Sequence, residues 1–477
     1  MKNQTRPMKQ LISAPRDLFF GLLMGLAVAA TGACGTSSSG DDPPASPAGS
    51  GGQIGIDVVP EGTAGAGGGT GGMTSPMGAG GMGGGQSGGT TTSTGTGGMP
   101  MVAPPPVVNV APMVSGGGLF SLALRRDGTV FGWGDETVGA LGNGEGGETS
   151  TRHPQRVLTL TSIIRIAAGD SHSLALRADG AVFSWGSGIG GDLGIGVPGD
   201  ASTAVRASSL ADIVEIAAGK NTSFAVRADG TLFAWGANQY GQLGLGHTQD
   251  QSTPVAVPGI SDVVAISAGH IHNMALRRDG SLWVWGGNLN GQLGLGDREP
   301  RLVPTQVLAL AGEKVALIAA GGFHSLALVR GKALIGWGAS FVGQTGAIVD
   351  PANPYGEILT PTIAFKDFGF TALAAGEEHS MGLLASGQVA TWGHNGSGRL
   401  GNGESGRTHS TPDPQLAIGV TNAIGIDAGK AHSLVVHADG QVSCFGYNFF
   451  SQCGRIETTD LPVPGPVGPG FSVGEAP

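Results

Sequence analysis

Five histidines recur at one place in a periodic pattern: His172, His272, His324, His379 and His432 each stand three residues after an Ala-Gly step. A ring of imidazoles is a possible metal site, but metal ligands must converge within about 2 to 2.2 Å of one ion. Copies of one position in separate units do not converge, so the pattern predicts buried imidazoles whose ring nitrogens satisfy backbone groups between units. Phe120 and Thr222 take the same place in two further units. The stretch GIGGDLG at 188–194 has the glycines of a phosphate cradle, yet neither a strand-loop-helix unit nor a following Lys-Ser or Lys-Thr accompanies it. HExxH and a nucleophile-elbow serine in its context are missing too. No catalytic residue, metal or cofactor is expected.

The three cysteines divide into two kinds. Cys34 closes the run Thr31-Gly32-Ala33-Cys34, which resembles a bacterial lipobox, with Thr31 where Leu, Val or Ile is usual. Residues 1–16 carry four basic side chains and no acidic one, and an apolar run of 13 residues, 18–30, follows. That is the charged, apolar, then small order of a secretory signal, and 13 residues are too few to span a bilayer as a helix. The reading is a signal over 1–33 and lipidation at Cys34, with Gly35 after it resembling export to the outer membrane or cell surface. A secreted or periplasmic protein is the alternative. Cys444 and Cys453 both fall in the last repeat unit, and export admits a disulfide between them.

From residue 34 to 106 the chain is mostly Gly, Ser, Thr, Pro and Met, with the acidic residues Asp41, Asp42, Asp57 and Glu61 and no Lys or Arg. Too little apolar side chain is present to offset ordering entropy, so this segment reads as a disordered tether. The whole chain has 25 basic and 35 acidic residues. An acidic chain without a basic stripe is a poor tracker of phosphates, which disfavours nucleic acid as a partner.

The remainder is repetitive. Trp-Gly pairs stand at Trp133, Trp185, Trp235, Trp285, Trp337 and Trp392, with Phe445-Gly446 in the seventh place, and Gly142, Gly194, Gly244, Gly294, Gly346, Gly401 and Gly454 repeat in step. Within a unit, period-two alternation runs through 213–218, 224–227 and 232–235, which is strand behaviour. Asp-Gly pairs at Asp127, Asp179, Asp229, Asp279 and Asp439 suggest tight hairpins with left-handed residues, and a fourth strand follows each glycine loop, as at 254–257 and 304–307. Seven units of four strands make an all-β, seven-bladed β-propeller over 107–470, with 471–477 as a disordered tail. Either 107–114 or 461–467 could supply a strand that closes the ring.

The order AAGxxHSLAL, RxDGxVxxWG, GQLGxG at a period near 50 resembles the regulator of chromosome condensation repeat family, whose members are seven-bladed propellers. Its nuclear branch exchanges guanine nucleotide on a small GTPase; an exported acidic chain with nearly uniform units is not expected to share that activity. A plant branch senses ultraviolet light through extra tryptophans, but here only Trp283 is extra. An exported bacterial member inhibits β-lactamases through the loops of one face. Fold does not fix function, so the expectation is a monomeric, non-catalytic binding or scaffold module for a protein or glycan, held at the membrane by its lipid. The alternatives are a structural or adhesive envelope component, or an enzyme inhibitor. Tyr240, Phe341, Tyr355, Tyr447, Phe449 and Phe450 lie in inter-strand loops and are the candidate partner-binding residues.

Overall fold

The structure is a computed structural model, described over residues 109–147, 150–330, 333–353 and 356–474. Seven four-stranded antiparallel sheets follow one another along the chain, each built from consecutive strands. Blade one spans residues 113–156, blade two 163–206, blade three 213–256, blade four 263–306, blade five 315–366, blade six 370–416 and blade seven 423–466. Each blade is a simple meander whose innermost strand lines the axis. Among the described residues the only helices are the short 3-10 turns Leu308–Leu310 and Arg407–His409, and no helix is long and apolar enough to cross a membrane.

Burial explains the composition of each strand. The second strands, such as His272–Arg277, are buried at five of six positions because neighbouring blades cover both faces. The outermost strands alternate toward solvent and carry prolines, for example Pro254 in Gln251–Ala256 and Pro304 in Arg301–Gln306, which an edge strand tolerates because no ladder partner needs their missing N–H. These fourth strands begin three residues earlier than the hydrophobic pattern indicates: Gln251–Ala256 opens on the polar Gln251, Ser252 and Thr253, and Arg301–Gln306 on Arg301.

The two glycine-marked repeats serve one contact. Gly294 has φ +68°, and a Cβ there would lie 2.7 Å from Nε1 of Trp337 in the next blade. The loop glycine thus lies flat on the indole, and neither a side chain nor a different backbone fits. Gly194 meets Trp235 in the same way, and Gly454 of blade seven meets Trp133 of blade one at 3.2 Å, so this packing closes the ring.

Three expectations need correction. The Asp-Gly hairpins are not doubly left-handed: Gly180 has φ +81° while Asp179 does not share that region. Asp179 instead accepts the N–H of Ala181 at 3.1 Å, pinning the turn. Ring closure needs no borrowed strand, because Met113–Gly116 is the innermost strand of blade one and Leu461–Pro466 the outermost of blade seven. Finally, the tail is packed as far as it is described. Phe471 and Val473 are buried, Phe471 meets Phe131 and Trp133 edge to face at 5.4 and 5.7 Å, and the carbonyl of Val473 accepts the N–H of Arg126 while its own N–H reaches Gly440. Two apolar side chains among small residues suffice to order the segment because blade one offers an open aromatic surface. Residues 1–108, with Cys34, the signal and the tether, lie outside the described residues.

Candidate functional site

The repeated histidines are structural. His272 Nε2 lies 2.9 Å from Ser325 Oγ in the next blade, and Ser325 donates its only proton to the Gln292 carbonyl at 2.8 Å. The imidazole must therefore donate from Nε2. The same carbonyl accepts the Trp337 indole N–H at 2.9 Å. His172 with Ser223, His324 with Ser380, His379 with Ser433 and His432 with Ser121 repeat the arrangement. The ring nitrogen thus meets a serine hydroxyl, which hands the bond on to the backbone, rather than a backbone group directly. Such Ser-His distances match a nucleophile and its base, yet these side chains are buried and the hydroxyl proton is committed. Burial holds His172 down to about 4 and His272, His324 and His432 to about 3. Among the described residues no group of His, Cys, Asp or Glu could hold a metal ion.

In a meander the turns after the first strands and the loops after the third strands emerge at the same end. This end is organised by buried asparagines. Asn238 donates to the carbonyls of His247 and Gln249 at 2.8 and 3.0 Å and accepts the N–H of Leu243 at 2.8 Å. Asn288 and Asn395 take the same role in their loops, as does Asn448 in blade seven. The long loops of blades three, four, six and seven are thereby fixed platforms, and those of blades two and five are held instead by the Gly188 N–H on Asp200 at 3.1 Å and by Ser340 on Thr345 at 2.6 Å.

On these platforms stand exposed apolar side chains. Phe341 and Phe449 are 52% and 60% exposed, and Ile189 and Leu289, at the same repeat position, are 75% and 62% exposed. Tyr240, one position on, is 47% exposed. Tyr447 and Phe450 are half-buried: Tyr447 stacks on Phe449 at 6.4 Å, and Phe449 meets Phe450 at 5.3 Å. The proposed aromatic set thus forms a cluster in blade seven plus separate knobs in blades three and five. Tyr355 lies outside the described residues. Ile189 and Leu289 were not legible as site residues because the loop reading weighed aromatic rings alone; alignment four residues after each tryptophan reveals them.

Inside the ring of knobs is the mouth of the axial channel, a cavity of about 240 Å³. Its rim holds one residue per blade: Gly118, Asp170, Lys220, His270, Gly322, Glu377 and Lys430. Backbone hydrogen bonds run round it from blade to blade, with Gly118, Asp170, Lys220, His270, Gly322, Glu377 and Lys430 each donating to the next blade at 3.1 to 3.4 Å. Glu377 lies 4.0 Å from both Lys430 and His270. Burial raises the Glu377 carboxyl against the pull of Lys430, and burial with Lys220 and Lys430 holds His270 down to about 4. At neutral pH the rim carries two acids, two bases and a neutral imidazole.

Cys444 and Cys453 are bonded to each other, with Cα atoms 5.2 Å apart. In blade two the equivalent positions make a hydrogen bond, Ser184 Oγ to the Leu193 carbonyl at 2.6 Å, and in blade six Thr391 to Leu400 at 2.6 Å.

Comparison with known proteins places this geometry. The RCC1-like domain matches residues 77–354, and the regulator of chromosome condensation (RCC1) repeat matches 370–399, 423–452 and 386–436. The chain is 34% identical over 344 residues to the human probable E3 ubiquitin-protein ligase HERC6, covering 71% of this chain and 23% of that protein. It is 31% identical over 324 residues to the ultraviolet-B receptor UVR8 of Arabidopsis thaliana, covering 68% of this chain and 50% of that one. Among solved structures, Prp20p of Saccharomyces cerevisiae superposes with a TM-score of 0.63 at 26% identity, covering 71% of this chain and 86% of that one. Human WBSCR16, with a TM-score of 0.64 at 22% identity over 71% and 93%, shares the fold.

Proposed function

The chain belongs to the RCC1 repeat family, and from that premise we propose that it is a non-catalytic binding module that captures a protein partner on the channel-mouth face. The observation that carries the reading is the set of exposed knobs Ile189, Tyr240, Leu289, Phe341 and Phe449 held on hydrogen-bonded loops around a charged rim. Large apolar side chains on rigid supports lose little entropy on contact, and a polar centre adds orientation. Prp20p, described by its binding to Gsp1p and histones, is a precedent for a family member that works by holding proteins. The chain spans 23% of HERC6 and 50% of UVR8, so the activities in those names are not carried over.

The module is held at the cell envelope by lipid at Cys34, and the Gly-rich stretch gives it reach. Two acyl chains anchor a protein durably where one does so marginally. Crosslinking on intact cells, followed by identification of captured chains, tests the reading. Replacing Tyr240, Phe341, Tyr355, Tyr447 and Phe449 together by serine should abolish capture with little change in thermal midpoint. Capture that survives, or a midpoint that collapses, assigns these rings to packing and overturns the face. A glycan in place of a protein is recognised by capture that survives protease treatment of the partner fraction. For the anchor, Cys34→Ala should lose fatty-acid labelling and leave the membrane fraction; unchanged partitioning overturns lipidation.

A further inference from the structure

The wall of the axial channel breaks its own pattern once. Three residues before each rim position the inner strands present alanine or serine in six blades, as at Ala217 and Ser267, and Asp427 in blade seven. Ser267 Oγ accepts the N–H of Ala320 across the seam at 2.9 Å. Asp427 does the same for Gly116, which reaches Oδ2 at 2.9 Å. A small neutral residue therefore meets the seam's needs, and the carboxylate adds a charge the fold does not require.

Among the described residues that charge has no cation paired with it. Elsewhere on the inner strands the acid Glu215 pairs with Arg165 at 3.2 Å. On the rim, Asp170 and Glu377 are balanced by Lys220 and Lys430. The partners of Asp427 are neutral donors: the N–H groups of Gly116 and Ala428 and the Ser115 hydroxyl. An ionised carboxylate accepts roughly four hydrogen bonds, so these leave room for one more. Enclosure pushes the carboxyl up to about 6, so near neutral pH it is ionised and poorly hydrated, the state in which a cation gains most.

We propose that the channel is a receptor for an alkylammonium group, supplied by an unmodified lysine side chain or a free diamine, with its nitrogen on the Asp427 carboxylate and its methylenes along the alanine wall. The cavity volume of about 240 Å³ equals about eight waters at about 30 Å³ each, space enough for a slender chain of methylenes. A guanidinium is a poorer fit, because its planar fork seeks two parallel acceptor oxygens and one of these is already held by Gly116.

The test is calorimetric titration of the full chain with 1,5-diaminopentane, with N-acetyl-lysine methylamide and with the Nε-acetylated form of that amide. The proposal expects at least one of the two amines to bind, no binding of the acetylated form, and at least about a tenfold loss in Asp427→Asn, corresponding to 1.4 kcal/mol. Binding by the diamine alone names a free amine as the source; binding by the lysine amide names a protein side chain. Asp427→Ser, which copies blade four and keeps the seam bond, decides the matter if the asparagine variant fails to fold. Failure of both amines to bind, or equal binding by a folded variant, overturns the proposal. Phe341→Ser with Phe449→Ser should leave amine binding unchanged, which separates this site from the protein-capturing face.

Discussion

His272 and Ser325 hold blades four and five together through one proton of known direction: the imidazole donates from Nε2 across 2.9 Å because the serine hydrogen is already spent on Gln292. Five of the seven seams use this pair. The seam between blades three and four changes both members at once: Thr222 stands where histidine does elsewhere, and Asn273 stands where serine does, donating to the Gln242 carbonyl at 2.6 Å. Between blades one and two only the histidine changes, to Phe120, while Ser173 still donates to the Ala140 carbonyl at 2.9 Å; where the histidine stands, it and the serine couple two blades.

That coupling is measurable. Ser325→Ala strands the His272 N–H and leaves the Gln292 carbonyl with the Trp337 indole alone, and an orphaned buried donor costs about 1 to 3 kcal/mol. The double variant His272→Thr with Ser325→Asn, which copies the native third seam, should be more stable than the sum of its single variants by at least about 0.5 kcal/mol. Chemical denaturation of the four chains reads this directly. Additive costs would mean that the two side chains do not act as a pair.

Acid should open the ring. The stitching histidines have folded values near 3 to 4 against about 6.5 in an unfolded chain, so the unfolded state binds more protons as pH falls. Their contribution is complete above about pH 6.5 and is lost downward at about 1.4 kcal/mol per pH unit for each residue. Four carboxyls raised by burial oppose this and favour the fold as pH drops: Asp427, to about 6, Asp192, to about 7 with Asp250 adding to burial, and Glu215 and Glu377. The five stitching histidines, with His379 also held low, are joined by His270 and His394, both near 4, and together they outweigh the four carboxyls. The melting temperature should fall steadily between pH 6 and 4, and less steeply in the Thr-Asn double variant. A flat profile would show that the imidazoles are not buried neutral.

The sequence was most legible where the repeat enforces a residue and least where it does not. Tryptophan and loop glycine recur because one lies on the other, so blade number and strand order could be read directly. The rim of Asp170, Lys220, His270, Glu377 and Lys430 was invisible because its position carries five residue types over seven units, and alignment treats such a column as noise. Asp427 was hidden for another reason: its column is alanine or serine in the other six units, and small residues gave no sign that the position faces the channel. The tail was misread because Phe471 and Val473 sit among Gly, Pro and Ser; only the aromatic surface of blade one gives them a place to pack.

That tail lies at the junction of the ring's two ends. Arg125 lies 4.4 Å over Phe131 and 5.4 Å from the Phe471 ring, so Phe471 completes a stack joining blade seven's exit to blade one. Phe471→Ala removes a ring that is 9% exposed, and deletion of a buried phenylalanine costs about 3 to 5 kcal/mol in a full core, toward the low end at this edge. Hydrogen exchange should rise first in 113–116 and 461–466. Uniform exchange, with no preference for those strands, would remove the clasp from the account of closure.

The bond between Cys444 and Cys453 acts on the same blade from the inside. It spans a separation of 9 residues, and closing so short a loop contributes roughly 2 to 3 kcal/mol in the chain-entropy model. Blades two and six manage this position with a hydroxyl and a carbonyl, so covalency is an addition in the blade where the ring closes. Reduction should lower the unfolding midpoint, whereas Cys444→Ser with Cys453→Leu, copying Ser184 and Leu193 of blade two, should recover part of the loss and make the protein indifferent to reductant. The decisive measurement is intact mass after alkylation of protein from its native source: two alkylated thiols at Cys444 and Cys453 without prior reduction would show that the pair is merely buried side by side.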